Sequence, residues 1–308
     1  MEASITFKKV AKIIKGEAIL SDLSGGIEKG SIFALIGRNG SGKSMFLKIL
    51  SGLVENDSGS IYLKGIDLMT RGSETRILTG YMPQIVDLDL RLTILENISL
   101  YGQLHGLSRD KAENRAVNLL HDFNMSKYKD SFHNILSNGQ IRVIQYIRSI
   151  IHNPEILLLD EPTKEMDLHY KKMIWKNIDK MQKNTTIIFA TQDLKDAEAY
   201  AERIAILNNG AIQMDGTLDK LIETTHGLSR YRLLFKENIK DEFFDQIKDN
   251  PRIQKVKING RELEFYTKDR QEFFKVLEIA IKDQLSDLDS TRCDLQDLFF
   301  GLTDGGLE

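Results

Sequence analysis

Two periods of hydrophobic and polar positions run along this chain, and the switches between them divide it. Near the N-terminus Ile5 and Phe7 alternate with polar neighbours as far as Lys9, and a second strand-like stretch, AILSDLSGGIEKG, runs into Gly25, Gly26 and Gly30. These read as edge strands with tight turns. SIFALIG, residues 31–37, is a continuous apolar run closed by glycine, the pattern of a strand buried on both faces. After a glycine-rich loop, Met45, Phe46, Ile49 and Leu50 recur at helical spacing, with Gly52 as the stop. Residues 90–125 read as a helical insertion, with a helix start at Ser108–Lys111 and an apolar face of Ala116, Leu119, Leu120 and Phe123. Then come a helix from about Ser137 to His152, the strand EILLLD, a helix carrying Trp175 and Ile178, the strand TTIIFAT, a helix through Ala197 to Glu202, and the strand RIAILNNG. Strands alternating with helices predict an α/β domain with a largely parallel sheet covered on both faces.

The rhythm changes near residue 225. Tyr231, Leu233 and Phe235 alternate as a strand, a short helix is expected over DEFFDQI, and VKI and ELEF flank Asn259-Gly260, a two-residue hairpin signal. Phe273, Phe274, Leu277 and Ile281 form a helical stripe, and LQDLFFGLTD reads as a last short helix. A small α+β domain over 226–308 accounts for these elements. Of the pairs Phe243/Phe244, Phe273/Phe274 and Phe299/Phe300, one member each is expected in the core and the other facing a partner. No metal-ligand spacing, catalytic cluster or basic stripe stands out in this domain.

Composition narrows the function. Of 308 residues 41% are hydrophobic and 28% charged, an ordinary globular balance, and the net charge of -3 argues against a broad basic face for nucleic acid. The single cysteine, Cys293, cannot close an internal disulfide; its expected role is a small apolar core side chain, in a reducing compartment. Neither an uninterrupted apolar span nor a signal-peptide pattern is present, so any service to a membrane is expected from outside the bilayer.

The chemistry concentrates in the first domain. Gly37-Arg38-Asn39-Gly40-Ser41-Gly42-Lys43-Ser44 fits G-x-x-x-x-G-K-[ST] between a buried strand and a helix. There glycines let backbone N–H groups close round phosphates at a helix N-terminus, Lys43 reaches the β- and γ-phosphates, and the Ser44 hydroxyl ligates Mg²⁺. In ILLLDE, residues 156–161, four apolar residues bury a strand and bring Asp160 and Glu161 out at its C-terminal edge, where open α/β sheets bind ligands. Asp160 suits the Mg²⁺ shell, and Glu161 can orient or deprotonate an attacking water. Pro162 ends the strand directly after them.

The order GRNGSGKS, YMPQ, LSNGQ, ILLLDEPT resembles the nucleotide-binding subunits of ABC transporters, whose signature reads LSGGQ. The resemblance covers residues 1 to about 222. LTILENISLYGQLHGLSRDKAENRAVNLL is similar to the helical subdomain of the branch that includes daunorubicin-type drug exporters, and QDLFFGLTDG to the end of that branch's C-terminal appendage. The resemblance implies a P-loop ATPase domain over 1–222 with an antiparallel N-terminal β-subdomain and a helical subdomain at about 88–152, followed by an accessory or regulatory domain. It implies ATP and Mg²⁺ as cofactors and a head-to-tail pair of cassettes, identical or different. In such a pair Ser137, Gly139 and Gln140 of one copy complete the nucleotide site of the other. It also implies that Gln84 senses Mg²⁺ and the γ-phosphate, that Gln192 occupies the switch position, and that Ile14 occupies the adenine-contact position. Segment Ile85 to Ser99 would dock a separate transmembrane permease on the cytoplasmic face, in the direction of export.

Four departures from the family pattern lie at the nucleotide. Thr191-Gln192-Asp193 replaces T-H-D, and an amide can donate a hydrogen bond but cannot shuttle a proton. Asn138 stands for the first glycine of the signature, Lys164-Glu165-Met166-Asp167 for S-[AG]-L-D, and Ile14 for an aromatic ring. Two readings of these departures stand side by side: tolerated drift in a working ATPase, or a slow, regulatory subunit that binds ATP and closes with little turnover. Two other function classes stand against transport. A cassette ATPase acting on nucleic acid normally carries two phosphate loops or a long coiled-coil insertion, and this chain has one loop and no such heptads. A purely nucleotide-gated binding module would make the C-terminal domain the effector.

Overall fold

A computed structural model describes residues 3–224, 229–239, 243, 247, 250–282, 284–292 and 294–303. The chain divides into two compact units, Met1–Asp215 and Gly216–Glu308. The boundary precedes residue 222 because helix Leu218–Glu223 packs on a helix at the far end of the second unit.

In the first unit β1 (Ala3–Ile14) and β2 (Glu17–Glu28) form a long antiparallel hairpin, extended by β4 (Ser58–Leu63) and β5 (Ile66–Asp67) in the order β2-β1-β4-β5. The second sheet has the order β10-β9-β3-β8-β7-β6. Its strands are β3 (Ile32–Ile36), β6 (Thr79–Met82), β7 (Ile156–Asp160), β8 (Thr186–Thr191), β9 (Arg203–Asn208) and β10 (Ala211–Gly216). The β9-β3-β8-β7-β6 pairings are parallel, and β3, β7 and β8 are buried along their full length, as their unbroken apolar runs predict. α1 (Lys43–Leu50) contributes Phe46, Leu47, Ile49 and Leu50 to one core with both sheets, and the Phe46 ring meets Phe7 edge-on at 5.0 Å. Each such buried side chain contributes about 1.5–3 kcal/mol, so this core fixes the loop that precedes α1.

The helical part holds α3 (Ile94–Leu104), α4 (Arg109–Asp122) and α5 (Asn138–Ile150). Thr93 and Glu96 close a capping box at the start of α3, and Ala112, Ala116, Leu119 and Leu120 form the buried face of α4. β4, β5, β6, β10 and the short helix α2 (Gly72–Leu78) were not anticipated. β5, β6 and α2 are too short to show a period, and β4 and β10 lack the unbroken apolar run that marks β3, β7 and β8.

The second unit pairs β11 (Ser229–Phe235), β12 (Ile253–Asn259), β13 (Glu262–Thr267) and β14 (Leu285–Arg292) antiparallel in the order β12-β13-β11-β14, the strand arrangement of a split βαβ, ferredoxin-like sheet. Asn259 faces Glu262 across the hairpin, so the two-residue loop is Gly260-Arg261 rather than Asn259-Gly260. Gly260 has φ +62° at the first loop position, where a type II′ turn needs glycine. α9 (Arg270–Lys282) buries Phe273, Val276 and Ala280, whereas Phe274 and Ile281, expected on its apolar stripe, are each 61% exposed. The helix expected over DEFFDQI lies largely outside the described residues, of which Phe243 and Ile247 are buried; Phe244, Cys293 and the side chain of Phe300 lie outside them too. Phe299, on α10 (Leu295–Thr303), is buried.

Candidate functional site

β3 and α1 suspend the phosphate loop between them. Gly42 caps α1 at φ +104°, and a Cβ there would stand 2.7 Å from the Ile19 carbonyl oxygen, so only glycine fits. The loop walls a cavity of about 240 Å³ with Ile19, Gln84, Glu161 and Gln192. Lys43 is buried, and its ammonium donates to the carbonyls of Gly37 at 2.6 Å and Arg38 at 3.0 Å. Burial lowers its pKa, while the nearby Glu161 and Asp160 carboxylates hold it up. The free N–H groups at the start of α1 add a partial positive charge to the same wall.

Opposite the loop, β7 delivers two carboxylates. Asp160 is 1% exposed, and neither of its carboxylate oxygens meets a donor in hydrogen-bonding geometry. Desolvation raises its pKa, against the pull of the Ser44 hydroxyl and the Lys43, Lys48 and Arg142 charges. Glu161 is buried as well, its pKa raised by desolvation first and by Asp160, and lowered by Lys43 and the Gln192 N–H. Its Oε2 accepts from the Thr191 hydroxyl at 3.4 Å and the Gln192 N–H at 3.5 Å, and Oε1 is buried without a partner. The Glu161 backbone sits at φ +50°, while its N–H donates to Ala190 at 2.8 Å. A non-glycine residue held in that region stores about 1–3 kcal/mol of strain, here at the candidate general base.

Buried, unpaired carboxylate oxygens beside a serine hydroxyl fit a divalent cation. Among the described residues no cluster of three or more His, Cys, Asp or Glu could hold a metal alone, so such a cation would need further oxygens from phosphate and water, as Mg²⁺ in nucleotide sites does. The same cavity brings Gln84 and Gln192 to the loop. The Gln192 side-chain amide donates to Asn39 Oδ1 at 2.6 Å, a link not anticipated from the sequence. Ile14 is not brought there. It closes β1 opposite Glu17 at the hairpin tip, 39% exposed, and Ile19, across the hairpin on β2, lines the cavity instead.

The signature residues stand apart from this cavity. Ser137 caps α5: its hydroxyl accepts from the Gln140 N–H at 3.3 Å, and Gln140 Oε1 accepts from the Ser137 N–H at 2.9 Å. That leaves the Ser137 O–H free to donate outward. The Gln140 amide also donates to the Tyr128 and Tyr170 hydroxyls at 3.0 and 3.2 Å, so both its ends are engaged within the chain. Gly139 is buried against Met166 and Tyr170. Asn138 lines a second cavity, of about 420 Å³, with Gln84, Ile85, Arg142, Lys164 and Glu165.

Residues 20–164 match the family model described as ABC transporter. The chain is 30% identical over 226 residues to a Nod factor export ATP-binding protein I of Burkholderia lata, covering 73% of this chain and 74% of that protein. The chain belongs to the ABC transporter ATP-binding family. A Nod factor export ATP-binding protein I of a Rhizobium species is 29% identical over 272 residues, covering 88% of each chain. A solved ATP-binding cassette, dimeric in a post-hydrolysis state with ADP and phosphate, superposes with a TM-score of 0.65 at 26% identity, covering 70% of this chain and 98% of that one.

The ABC signature helix carries functional candidates that sequence reasoning missed. Arg142, Gln145 and Arg148 are buried on α5 at three-residue spacing, and each donates to the segment around Gln84. Three long polar residues on one face of an otherwise apolar helix were the available signal. A second missed cluster lies behind the switch: Lys171 pairs with Asp193 at 2.9 Å and Asp196 at 2.6 Å, and the Thr163 hydroxyl donates to Asp196 at 2.6 Å. It joins the loop after Glu161 to the loop after Gln192.

Proposed function

We propose that this chain is the ATP-binding and ATP-hydrolysing subunit of an ABC exporter, working as a head-to-tail pair on a separate transmembrane permease. One observation carries the reading: buried Asp160 and Glu161, with unpaired carboxylate oxygens, face buried Lys43 across a loop whose glycine conformation suits phosphate. Lys43 and the α1 N-terminus bind the β- and γ-phosphates. Ser44, Asp160 and Gln84 would hold Mg²⁺, which would supply charge neutralisation at the transferring phosphoryl group. Glu161 Oε1 accepts the proton of the attacking water, a task suited by its raised pKa. Ser137 and Gly139 serve the nucleotide of the second copy, which accords with their place outside this chain's own cavity. Gln140 orients them through the capping box.

No described helix is long and apolar enough to cross a membrane; in this reading the permease supplies the membrane span. Ile85 at 76%, Leu90 at 65% and Leu104 at 73% exposure offer it an apolar docking surface. Gentle detergent extraction of source membranes with a tagged chain tests this. The expected result is a bound polytopic membrane protein, released by the pair Ile85→Asp and Leu104→Asp; recovery of the chain without a membrane partner sinks the transport reading. A second reading, a slow regulatory subunit, is favoured by the Gln192–Asn39 bond, which commits the switch amide to the protein itself.

A further inference from the structure

The segment after β6 has no regular structure, yet its carbonyl groups are gripped in sequence by one buried helix. Arg142 donates from one guanidinium nitrogen to Pro83 O at 2.7 Å and Gln84 O at 3.1 Å. One turn on, Gln145 donates to Ile85 O at 2.9 Å and Asp87 Oδ1 at 3.2 Å. One turn further, Arg148 donates to Asp87 O at 2.9 Å and pairs with the Asp87 carboxylate. Residues three apart share a helix face, so these side chains form a ladder along α5. Arg142 does more. Its second terminal nitrogen donates to Asp160 O at 3.0 Å and to Glu161 O. A single buried guanidinium therefore spans from the backbone of Gln84 to that of the carboxylate pair.

Burying an arginine without a paired carboxylate is costly, and an apolar residue would serve the core better. What the planar fork supplies is several donors in a fixed relation. We propose that Arg142 is a positioning residue for ATP hydrolysis: it sets Gln84 against Asp160 and Glu161, and with Gln145 and Arg148 makes residues 83–87 move with α5. Because α5 starts at Ser137, a second copy engaging the signature would shift Gln84 through this ladder. The inference rests on the ATPase reading of the cavity.

Arg142→Lys tests it on the full chain, since an ammonium keeps the charge but cannot bridge both backbones. Phosphate release, ATP-analogue affinity and amide exchange are measured below the variant's melting temperature. The expected outcome is a fall in kcat of roughly 10- to 100-fold, an analogue Kd within about twofold of wild type, and faster exchange across Gln84 to Asp87. Unchanged kcat, or unchanged exchange, overturns the proposal. So does a loss of activity and binding in proportion to the unfolded fraction, which a purely structural role would give. Absence of wild-type turnover would instead overturn the ATPase reading.

Discussion

Asp160→Asn should stabilise the nucleotide-free protein and destroy its response to Mg²⁺-ATP. Asp160 is 1% exposed with both carboxylate oxygens unpaired, and leaving such a group unsatisfied costs about 1–3 kcal/mol. The isosteric amide removes the buried charge. Against that gain stands the lost pull of the Ser44 hydroxyl and of the Lys43, Lys48 and Arg142 charges, of which Lys43 keeps Glu161 and two carbonyls and Arg142 keeps its carbonyl partners. The net is about 1 kcal/mol in favour of the variant, or 2–4 °C in Tm for a unit of this size. The folded-state pKa of Asp160 is raised, so between the ordinary aspartate value and that raised value the native state binds more protons than the unfolded state. Stability therefore falls as pH rises through that window and stays reduced above it. The advantage of Asn should be full above the window and vanish below it. With Mg²⁺-ATP at 100 times its Kd, wild type gains about 2.7 kcal/mol by mass action; the variant gains far less, and the order of melting temperatures inverts. Thermal melts with and without Mg²⁺-ATP at several pH values read all three effects. A variant less stable without ligand at neutral pH, or equally stabilised by Mg²⁺-ATP, would refute the reasoning.

Gln192→His frees Asn39 and restores a proton-shuttling ring, and is expected to raise kcat about tenfold or more with little change in ATP affinity; the slow-subunit reading fails if wild type turns over rapidly and the variant matches it. Ser137→Ala removes the α5 cap, at about 1 kcal/mol, and abolishes ATP-driven dimerisation by light scattering while nucleotide binding to the monomer persists. Phe265→Ala, fully buried in the second unit, should cost about 3–5 kcal/mol. Because Trp175 is the only tryptophan and lies in the first unit, far-UV melting should move and tryptophan fluorescence melting should not.

The legible parts of the molecule were those where one residue type has one physical use. The unbroken apolar runs of β3 and β7 announced buried parallel strands, and Gly42-Lys43-Ser44 between strand and helix announced the phosphate loop. β14 escaped because the two apolar residues of LSDLDSTR, Leu285 and Leu288, are three apart and break the alternation of a strand; its pairing with β11 supplies what its side chains do not signal. Ile14 ends β1 and Ile19 lies on β2 of the same hairpin, and which of the two lines the loop's cavity is a matter of register that spacing along the chain does not reveal. The turn at Gly260-Arg261 moved one residue for the same reason. The spacing of Arg142, Gln145 and Arg148 marks a polar face on α5, but what Arg142 binds was hidden for a different reason: its partners are backbone carbonyls from segments 58 and 19 residues away, and carbonyls leave no mark in a sequence.

The central claim is that Glu161 and Lys43 work on one nucleotide. Phosphate release from Mg²⁺-ATP by the purified full chain, compared with Glu161→Gln, tests it most directly. Wild type is expected to release phosphate steadily, and the variant to lose about 100-fold or more with ATP still bound. Equal release by the two proteins would contradict it.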